Sequence, residues 1–253
     1  MRPWEPEDLA LVFLTCPREP AYFSTSLAGA LLGDPLTARL REIAVAVDAP
    51  DLGCVGPLAG HARVRWVART VEESARVADF PLHRRACHNY WRALGLARPG
   101  ARAVLVCEDD VAFRDGWLGM LLECLNEMAA AGLKEFIVAA YSAYDHERGP
   151  LRRGRFYSSY PAEGFYGTQG MLYPAAELAP VREIVWRHGV EQADAPYDML
   201  VKRRAVARQH LYITRVALVQ HVGLQSTGLG DGSIRSPSFG RPWPGPAEAP
   251  AQS

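Results

Sequence analysis

Three consecutive carboxylates are the residues of this chain that could most readily do chemistry. An apolar run, residues 104–107, is followed directly by Glu108, Asp109 and Asp110. Adjacent carboxylates repel one another at neutral pH, and their desolvation is costly unless a cation compensates the charge. A hard divalent ion that prefers oxygen ligands, Mn²⁺ or Mg²⁺, suits this role. The alternative is an acidic turn in which Asp110 or Asp115 caps the helix that follows.

The element that must position these acids is a strand buried on both faces, because a short apolar run bounded by polar residues is typical of a parallel sheet. A similar strand, Leu9–Thr15, opens the chain, and another covers residues 43–47. Ligands of open α/β sheets bind outside the carboxyl ends of the strands. Thr15 and Arg18 are therefore candidates for nucleotide binding, although a solvated surface position explains Arg18 equally well. Asp48 ends the next strand and is a minor candidate, because turn chemistry explains it as simply.

A predicted helix just before the acidic strand carries further polar candidates. Residues 82–94 have an amphipathic pattern and include Arg84, Arg85 and Asn89. Guanidinium groups pair well with phosphate oxygens, so these side chains are candidates to contact a nucleotide. A solvated basic face is the simpler explanation for any one of them.

Two later segments carry candidate contacts to a second ligand. Residues 165–174 combine an apolar strand with two glycines, which let backbone and small polar groups approach a ligand closely. We assign Gly167, Gln169 and Gly170 to acceptor binding, with a bulge in a structural strand as the alternative. Asp198 lies in the first turn of a predicted helix, where an aspartate usually interacts with the helix dipole.

Composition excludes several classes of function. The 253 residues include 28 Lys and Arg against 28 Asp and Glu, so no global basic field favours nucleic acid or an anionic membrane surface. Five cysteines without CxxC spacing predict neither a zinc knuckle nor a disulfide framework. The N-terminus lacks the pattern of a signal peptide, and no apolar run reaches the length of a membrane span. We therefore expect a cytoplasmic protein, and its arginine-rich and alanine-rich composition indicates a GC-rich bacterial genome.

The alternation of strands and helices predicts a single α/β domain with a mostly parallel central sheet flanked by helices. Further predicted elements are strands at residues 64–67 and 136–140, helices at 22–32, 117–131 and 177–188, and a closing strand at 211–219. The domain is expected to span residues 1–235. Residues 236–253 are dense in Pro, Gly, Ser and Ala and predict a mobile tail.

Four features of the chain occur in an order that resembles a known class of enzymes. They are an early β-loop-α unit, a strand that ends in Glu108, Asp109 and Asp110, a glycine-containing strand, and the late sequence Gln220-His221-Val222-Gly223. In this order the features resemble GT-A type nucleotide-sugar glycosyltransferases, and most closely the N-acetylglucosaminyltransferase IV family. The acidic triplet is similar to the DXD-type motif of that superfamily. The resemblance covers roughly residues 9–229 and implies a Rossmann-related GT-A-like domain.

The resemblance also implies a role for each matching residue. Asp110 would ligate a Mn²⁺ or Mg²⁺ ion that bridges the phosphates of a UDP-sugar. Glu108 would face the ribose or reach the metal through water, and Asp109 would be supportive. His221 would bind the same ion, with a satisfied core histidine as the alternative. Asp198 would be the base that deprotonates the acceptor hydroxyl in an inverting transfer.

The leading hypothesis is a metal-dependent, inverting glycosyltransferase that moves a sugar from a UDP-sugar to a hydroxyl of a glycan, lipid-linked saccharide, peptide or small metabolite. The family resemblance suggests N-acetylglucosamine as the sugar. A nucleotidyltransferase would share the sheet and the acidic metal site, but residues 16–20 lack the glycine-rich loop that such enzymes use. A non-catalytic nucleotide- or saccharide-binding protein of the same fold is the other alternative.

Overall fold

The fold is described from a computed structural model of the chain. The residues that the structure describes are 2–17, 22–143, 154–160, 165, 167–208, 210–223 and 234–244. Ten strands lie in these ranges: β1 Leu9–Thr15, β2 Glu42–Val47, β3 Arg65–Val67, β4 Ala103–Glu108, β5 Val111–Phe113, β6 Ile137–Ala139, β7 Tyr157–Ser159, β8 Gly170–Pro174, β9 Leu211–Thr214 and β10 Val219–His221. Six α-helices lie there as well: α1 Phe23–Leu32, α2 Val71–Val77, α3 Leu82–Leu94, α4 Trp117–Ala130, α5 Ala175–Ile184 and α6 Tyr197–Arg208.

Eight of the strands form the central sheet, in the order β3-β2-β1-β4-β8-β6-β9-β7. Neighbours in the β3-β2-β1-β4 half are parallel, and β9 is parallel to β6. β8 runs antiparallel to both β4 and β6, and β7 runs antiparallel to β9. Six strands of the sheet, as far as the chain is described, therefore share one direction. This confirms the predicted α/β fold with a mostly parallel sheet flanked by helices.

Alternate residues of the central strands face two separate hydrophobic cores, as the two-sided burial of a parallel sheet requires. In β1, Leu11 and Phe13 belong to one core, and Ala10 and Val12 belong to the other. α1 and α4 cover the first core, whereas α3, α5 and α6 cover the second. Of the helices that the structure describes, none combines the length and the apolar character that a bilayer span would need.

Two predicted elements differ from the observed ones. The strand predicted at residues 211–219 is two strands: β9 lies in the central sheet, and β10 pairs with β5 in a separate two-stranded ribbon. The prediction was wrong because the connecting Val216, Ala217 and Leu218 are buried, and apolarity alone does not distinguish a buried turn from a strand. The helix predicted at 177–188 is α5 followed by a π-helical segment, Val185–Glu191.

The N-terminus of α4 is capped by a residue distant in sequence. The N-cap position is Gly116, and the carboxylate Oδ2 of Asp34 accepts hydrogen bonds from the backbone N–H groups of Leu118 and Gly119, each at 2.9 Å. The alternative in which Asp110 or Asp115 caps this helix is therefore wrong. The acidic triplet needs another explanation than helix capping.

Part of the segment that composition assigned to a mobile tail packs on the domain. Ser236 and Ser238 are buried, and the ring of Trp243 stacks on that of Phe156 at 5.2 Å. The backbone N–H of Ser236 donates to Oε1 of Gln220 at 3.0 Å. These contacts connect residues 234–244 to β10 and to the residue before β7, so burial here comes from a few side chains that the average composition of the segment hides.

Candidate functional site

The acidic triplet lies where the strand order of the sheet reverses. β1 has β2 on one side and β4 on the other, and both neighbours are parallel to it. The crevice outside the carboxyl ends of strands at such a switch point is the usual ligand site of an open α/β sheet. β1 ends at Thr15 and β4 ends at Glu108. The two strand ends that sequence reasoning selected therefore lie side by side.

The two-stranded ribbon brings a histidine to the acids. In the pairing of β5 with β10, His221 lies opposite Val111, the residue that follows Asp110. Nε2 of His221 lies 3.1 Å from Oδ2 of Asp110. Glu108, Asp110 and His221 each offer a ligand atom, and these atoms lie within 4.8 Å of one another. The structure thus brings the two predicted metal ligands together and adds Glu108 to them.

The backbone after β10 fits closely around Asp110. The N–H of Val222 donates to the backbone carbonyl of Asp110 at 2.8 Å. A Cβ on Gly223 would lie 2.3 Å from Oδ2 of Asp110, far inside van der Waals contact. Glycine at position 223 therefore lets the chain close against the carboxylate that faces His221.

Glu108 is held by two hydroxyl groups. Thr168 Oγ1 and the Tyr197 hydroxyl each donate to Oε1 of Glu108, both at 3.0 Å. Burial, and then the charge of Asp110, raise the pKa of Glu108 to about 7, against the lowering effects of His221 and the two hydroxyls. A cation beside these carboxylates would favour the ionised form. The cluster is therefore a site where two carboxylates and an imidazole converge at the end of a buried strand.

Asp109 points away from this cluster and supports the turn. Its Oδ2 accepts a hydrogen bond from the Thr15 hydroxyl at 2.6 Å. The Ser26 hydroxyl donates to the backbone carbonyl of Asp109 at 2.7 Å and accepts from the N–H of Val111 at 3.1 Å. Thr15 and Ser26 thus tie the acidic turn to β1 and α1.

The basic and amide candidates of α3 are engaged elsewhere. Asn89 is buried, and its Nδ2 donates to the backbone carbonyls of Thr15 and Ala46 at 3.2 and 3.5 Å. Nε of Arg84 donates to the Val190 carbonyl at 2.5 Å. These contacts give Asn89 and Arg84 a structural role, and their assignment to donor binding stays a prediction. Arg18 lies outside the described residues.

Arg85 belongs to a buried ion-pair cluster at the end of β2. It lies 3.2 Å from Oδ2 of Asp48, and Arg69 lies 3.5 Å from the other carboxylate oxygen. Burial raises the pKa of Asp48, and the two arginines oppose this shift. The backbone N–H of Asp48 donates to the Thr15 carbonyl at 2.8 Å, so this cluster adjoins the end of β1.

The predicted acceptor residues lie beside Glu108, but the two glycines have structural explanations. The Gln169 carbonyl accepts the Glu108 N–H at 3.2 Å. Gly167 has a φ of +70°, a conformation that other residues rarely adopt. A Cβ on Gly170 would lie 2.9 Å from the Val219 side chain, so its close approach is to the core and not to a ligand. For Gly167 and Gly170 the structural alternative is thus the better supported one.

Asp198 lies in the first turn of α6, directly after the tyrosine that contacts Glu108. Its side chain is half-buried, and its Oδ1 accepts the Met199 N–H at 2.8 Å. Burial raises the pKa of Asp198 above its ordinary value, which makes the carboxylate a stronger base. Sequence reasoning missed Tyr197 and Thr168, although each immediately precedes a residue that it selected.

Comparisons with known proteins agree with this architecture. No family model matches the chain, and no curated protein sequence matches it either. The crystal structure of S. aureus TarS 1-349 aligns with a TM-score of 0.53 and 13% identity over 81% of this chain and 57% of that chain. A second S. aureus TarS structure aligns with a TM-score of 0.51 and 12% identity over 81% of this chain and 34% of that chain. The galactosyltransferase LgtC in complex with donor and acceptor sugar analogs aligns with a TM-score of 0.44 and 12% identity over 76% of this chain and 69% of that chain.

The chain spans little more than half of the first TarS chain and a third of the second. The two TarS structures share the GT-A-type fold, and at such low identity the likeness shows the fold alone. The narrower resemblance to the N-acetylglucosaminyltransferase IV family receives no support. The chain therefore has a GT-A-type fold with an acidic cluster at its switch point.

Proposed function

We propose that this protein is a metal-dependent glycosyltransferase that transfers a sugar from a UDP-sugar to a hydroxyl acceptor with inversion. The observation that carries the proposal is the convergence of Glu108, Asp110 and His221 at the switch point of a GT-A-type fold. Strand ends at this position are where nucleotides bind in open α/β sheets. Clustered carboxylate oxygens are ligands that hard divalent ions bind.

The donor set fits Mn²⁺ or Mg²⁺. Two carboxylates and an imidazole are ligands that such ions accept, and Gly223 holds the chain close to Asp110. Asp110 and His221 would hold the ion, with Glu108 facing the ribose or reaching the ion through water. When bound, the ion supplies positive charge that neutralises the departing diphosphate. Thr15 and Asp109 complete the donor side through their mutual hydrogen bond.

The transfer itself needs one base on the acceptor side. We assign this role to Asp198, whose half-buried carboxylate has a raised pKa. Asp198 takes the proton of the acceptor hydroxyl, and the hydroxyl oxygen forms a bond to the anomeric carbon. The bond between that carbon and the β-phosphate oxygen breaks, and UDP leaves with the bonding electron pair. Attack opposite the leaving group inverts the anomeric configuration.

A donor and acceptor screen tests this function. Purified protein with Mn²⁺ is incubated with a panel of UDP-sugars, UDP-N-acetylglucosamine included; UDP release is measured and products are identified by mass. We expect release from at least one donor and its loss in Asp110→Ala. Glu183→Gln is the matched control, because Glu183 is an exposed carboxylate paired with Arg187 on α5.

The same screen separates the alternatives. Pyrophosphate release from a nucleoside triphosphate would identify a nucleotidyltransferase instead. Tight UDP binding without transfer to any acceptor, and without an effect of Asp198→Asn, would identify a binding protein. For the proposed base, Asp194→Asn is the matched control. Asp194 lies four positions before Asp198 in the chain, is exposed, and pairs with His188.

A further inference from the structure

One tyrosine connects the metal side of the proposed site to its acceptor side. Tyr197 is the first residue of α6, and its hydroxyl donates to Oε1 of Glu108 at 3.0 Å. The next residue in the chain is Asp198. A movement of Tyr197 would therefore displace the proposed base and the Glu108 carboxylate together.

The ring of Tyr197 is fixed by a second tyrosine. It stacks on Tyr90 with ring centroids 4.4 Å apart and an interplanar angle of 16°. Tyr90 is fully buried in α3, and its hydroxyl lies 2.6 Å from that of Tyr173 in β8. Burial raises the pKa of Tyr197 well above its ordinary value, so its hydroxyl keeps the proton that it donates. The position of the hydroxyl is thus set by the core and not by solvent.

The backbone that leads into Tyr197 is also constrained. Ala193 has a φ of +56° and is the one non-glycine residue with positive φ in the described part of the chain. Such conformations cost energy and persist only where surrounding contacts enforce them. The Asp194 N–H donates to the His188 carbonyl at 2.8 Å, and the Cys87 thiol lies 3.7 Å from the Ala195 carbonyl. The turn before α6 is therefore anchored to the π-helical segment and to α3.

We propose that Tyr197 is a positioning residue that fixes Glu108 for donor binding and holds Asp198 at a set distance from it; this inference rests on the proposed function. With Oε1 bound by the hydroxyls of Tyr197 and Thr168, the second oxygen of Glu108 is the one available to a ligand. Loss of a group that orients a metal-site carboxylate in this way typically lowers metal affinity or activity by about 10–100-fold. We expect an effect of the same order here.

The test compares Tyr197→Phe with Tyr212→Phe. Both substitutions remove one tyrosine hydroxyl, but Tyr212 lies in β9 and belongs to the other core, and of these two tyrosines Tyr197 is the one that donates to Glu108. With the donor found in the screen, we expect Tyr197→Phe to lower kcat/KM by about 10–100-fold. Tyr212→Phe should change it by less than about threefold. Thr168→Val, which removes the other hydroxyl on Oε1, should resemble Tyr197→Phe and decides the question if Tyr197→Phe does not fold.

A double-mutant cycle shows whether Tyr197 acts through Glu108. The dissociation constant of UDP with Mn²⁺ is measured by calorimetry for wild type, Tyr197→Phe, Glu108→Gln and the double variant. We expect Tyr197→Phe to weaken UDP binding in the wild-type background and to have no further effect beside Glu108→Gln. Independent, additive effects would overturn the inference, because they would mean that the tyrosine acts by another route.

Failure of this inference is distinguishable from failure of the proposed function. A wild-type protein that turns over a donor, with Tyr197→Phe equal to Tyr212→Phe, overturns the positioning role alone. A wild-type protein that neither binds UDP nor releases it from any UDP-sugar overturns the proposed function, and this inference with it.

Discussion

Substitution of Gly223 by alanine should disable the metal cluster while leaving the sheet intact. The added Cβ would lie 2.3 Å from Oδ2 and 3.0 Å from Cγ of Asp110. Ordinary contact distances begin near 3.4 Å, so the carboxylate or the backbone at 223 must shift by about 1 Å. A displacement of this size in a catalytic constellation costs on the order of 100-fold in rate. We expect a comparable loss of UDP release and a weaker affinity for Mn²⁺.

The control for this substitution is Gly60→Ala. A Cβ at Gly60 meets nothing within 4 Å, so the same chemical change falls in open space. Thermal unfolding of both variants separates a local displacement from a loss of fold. The reasoning is refuted if Gly223→Ala keeps wild-type Mn²⁺ affinity and turnover, because the close fit around Asp110 would then have no bearing on the site.

Three further predictions concern stability and pH. Asp34→Ala should lower the free energy of unfolding in urea by about 2 kcal/mol, because buried backbone donors of α4 lose their acceptor, whereas Asp51→Ala, at an exposed turn, should cost less than about 0.5 kcal/mol. Burial lowers the pKa of His88 from 6.5 to about 4. Between these pH values the unfolded chain binds more protons than the folded one, so the free energy of unfolding falls as the pH drops through this window, by up to about 3 kcal/mol. His88→Leu should remove this dependence, and parallel curves of stability against pH would contradict the account. The pKa of Glu108 is raised to about 7, so protons compete with a cation for this carboxylate near neutral pH. The affinity for Mn²⁺ should therefore rise from about pH 6 to about pH 8, and Glu108→Gln should flatten this rise.

The first half of the fold could be predicted because its strands and helices carry strong local signals. β1 begins and ends at the residues that the apolar run predicts, and so does α3, whose amphipathic pattern is continuous. The pairing of β1 with β2, the next strand along the chain, then follows from the general rule that strands in βαβ units are parallel neighbours. The pairing of β1 with β4, which places Thr15 beside the acidic turn, joins strands that are not consecutive and is not given by that rule.

The later half was harder because its order is set by contacts distant in sequence. The split of residues 211–219 into two strands depends on the pairing of His221 with Val111, which no local pattern encodes. The cap of α4 comes from Asp34, 84 positions before Leu118. Local rules offered the nearest aspartates, Asp110 and Asp115, as the alternative, and that alternative was wrong.

The candidate site shows the same division. Glu108 and Asp110 stand out as charges at the end of a buried strand, and the resemblance to GT-A enzymes added His221. Tyr197 could not be predicted, because its hydrogen bond to Glu108 spans 89 positions and a tyrosine at a helix start carries no distinctive signal. The hydrogen bonds of Asn89 to β1 and β2 could not be predicted either, since a buried amide that joins two strands looks in sequence like one that contacts a ligand.

Mn²⁺ binding followed by electron paramagnetic resonance, with and without UDP, tests the central claim most directly. The account predicts that wild-type protein binds one Mn²⁺, that UDP tightens this binding, and that Asp110→Ala and His221→Ala each abolish it while Glu183→Gln does not. Mn²⁺ binding that survives both Asp110→Ala and His221→Ala, or UDP binding that is unchanged when the metal is removed, would contradict the assignment of this cluster as the donor's metal site.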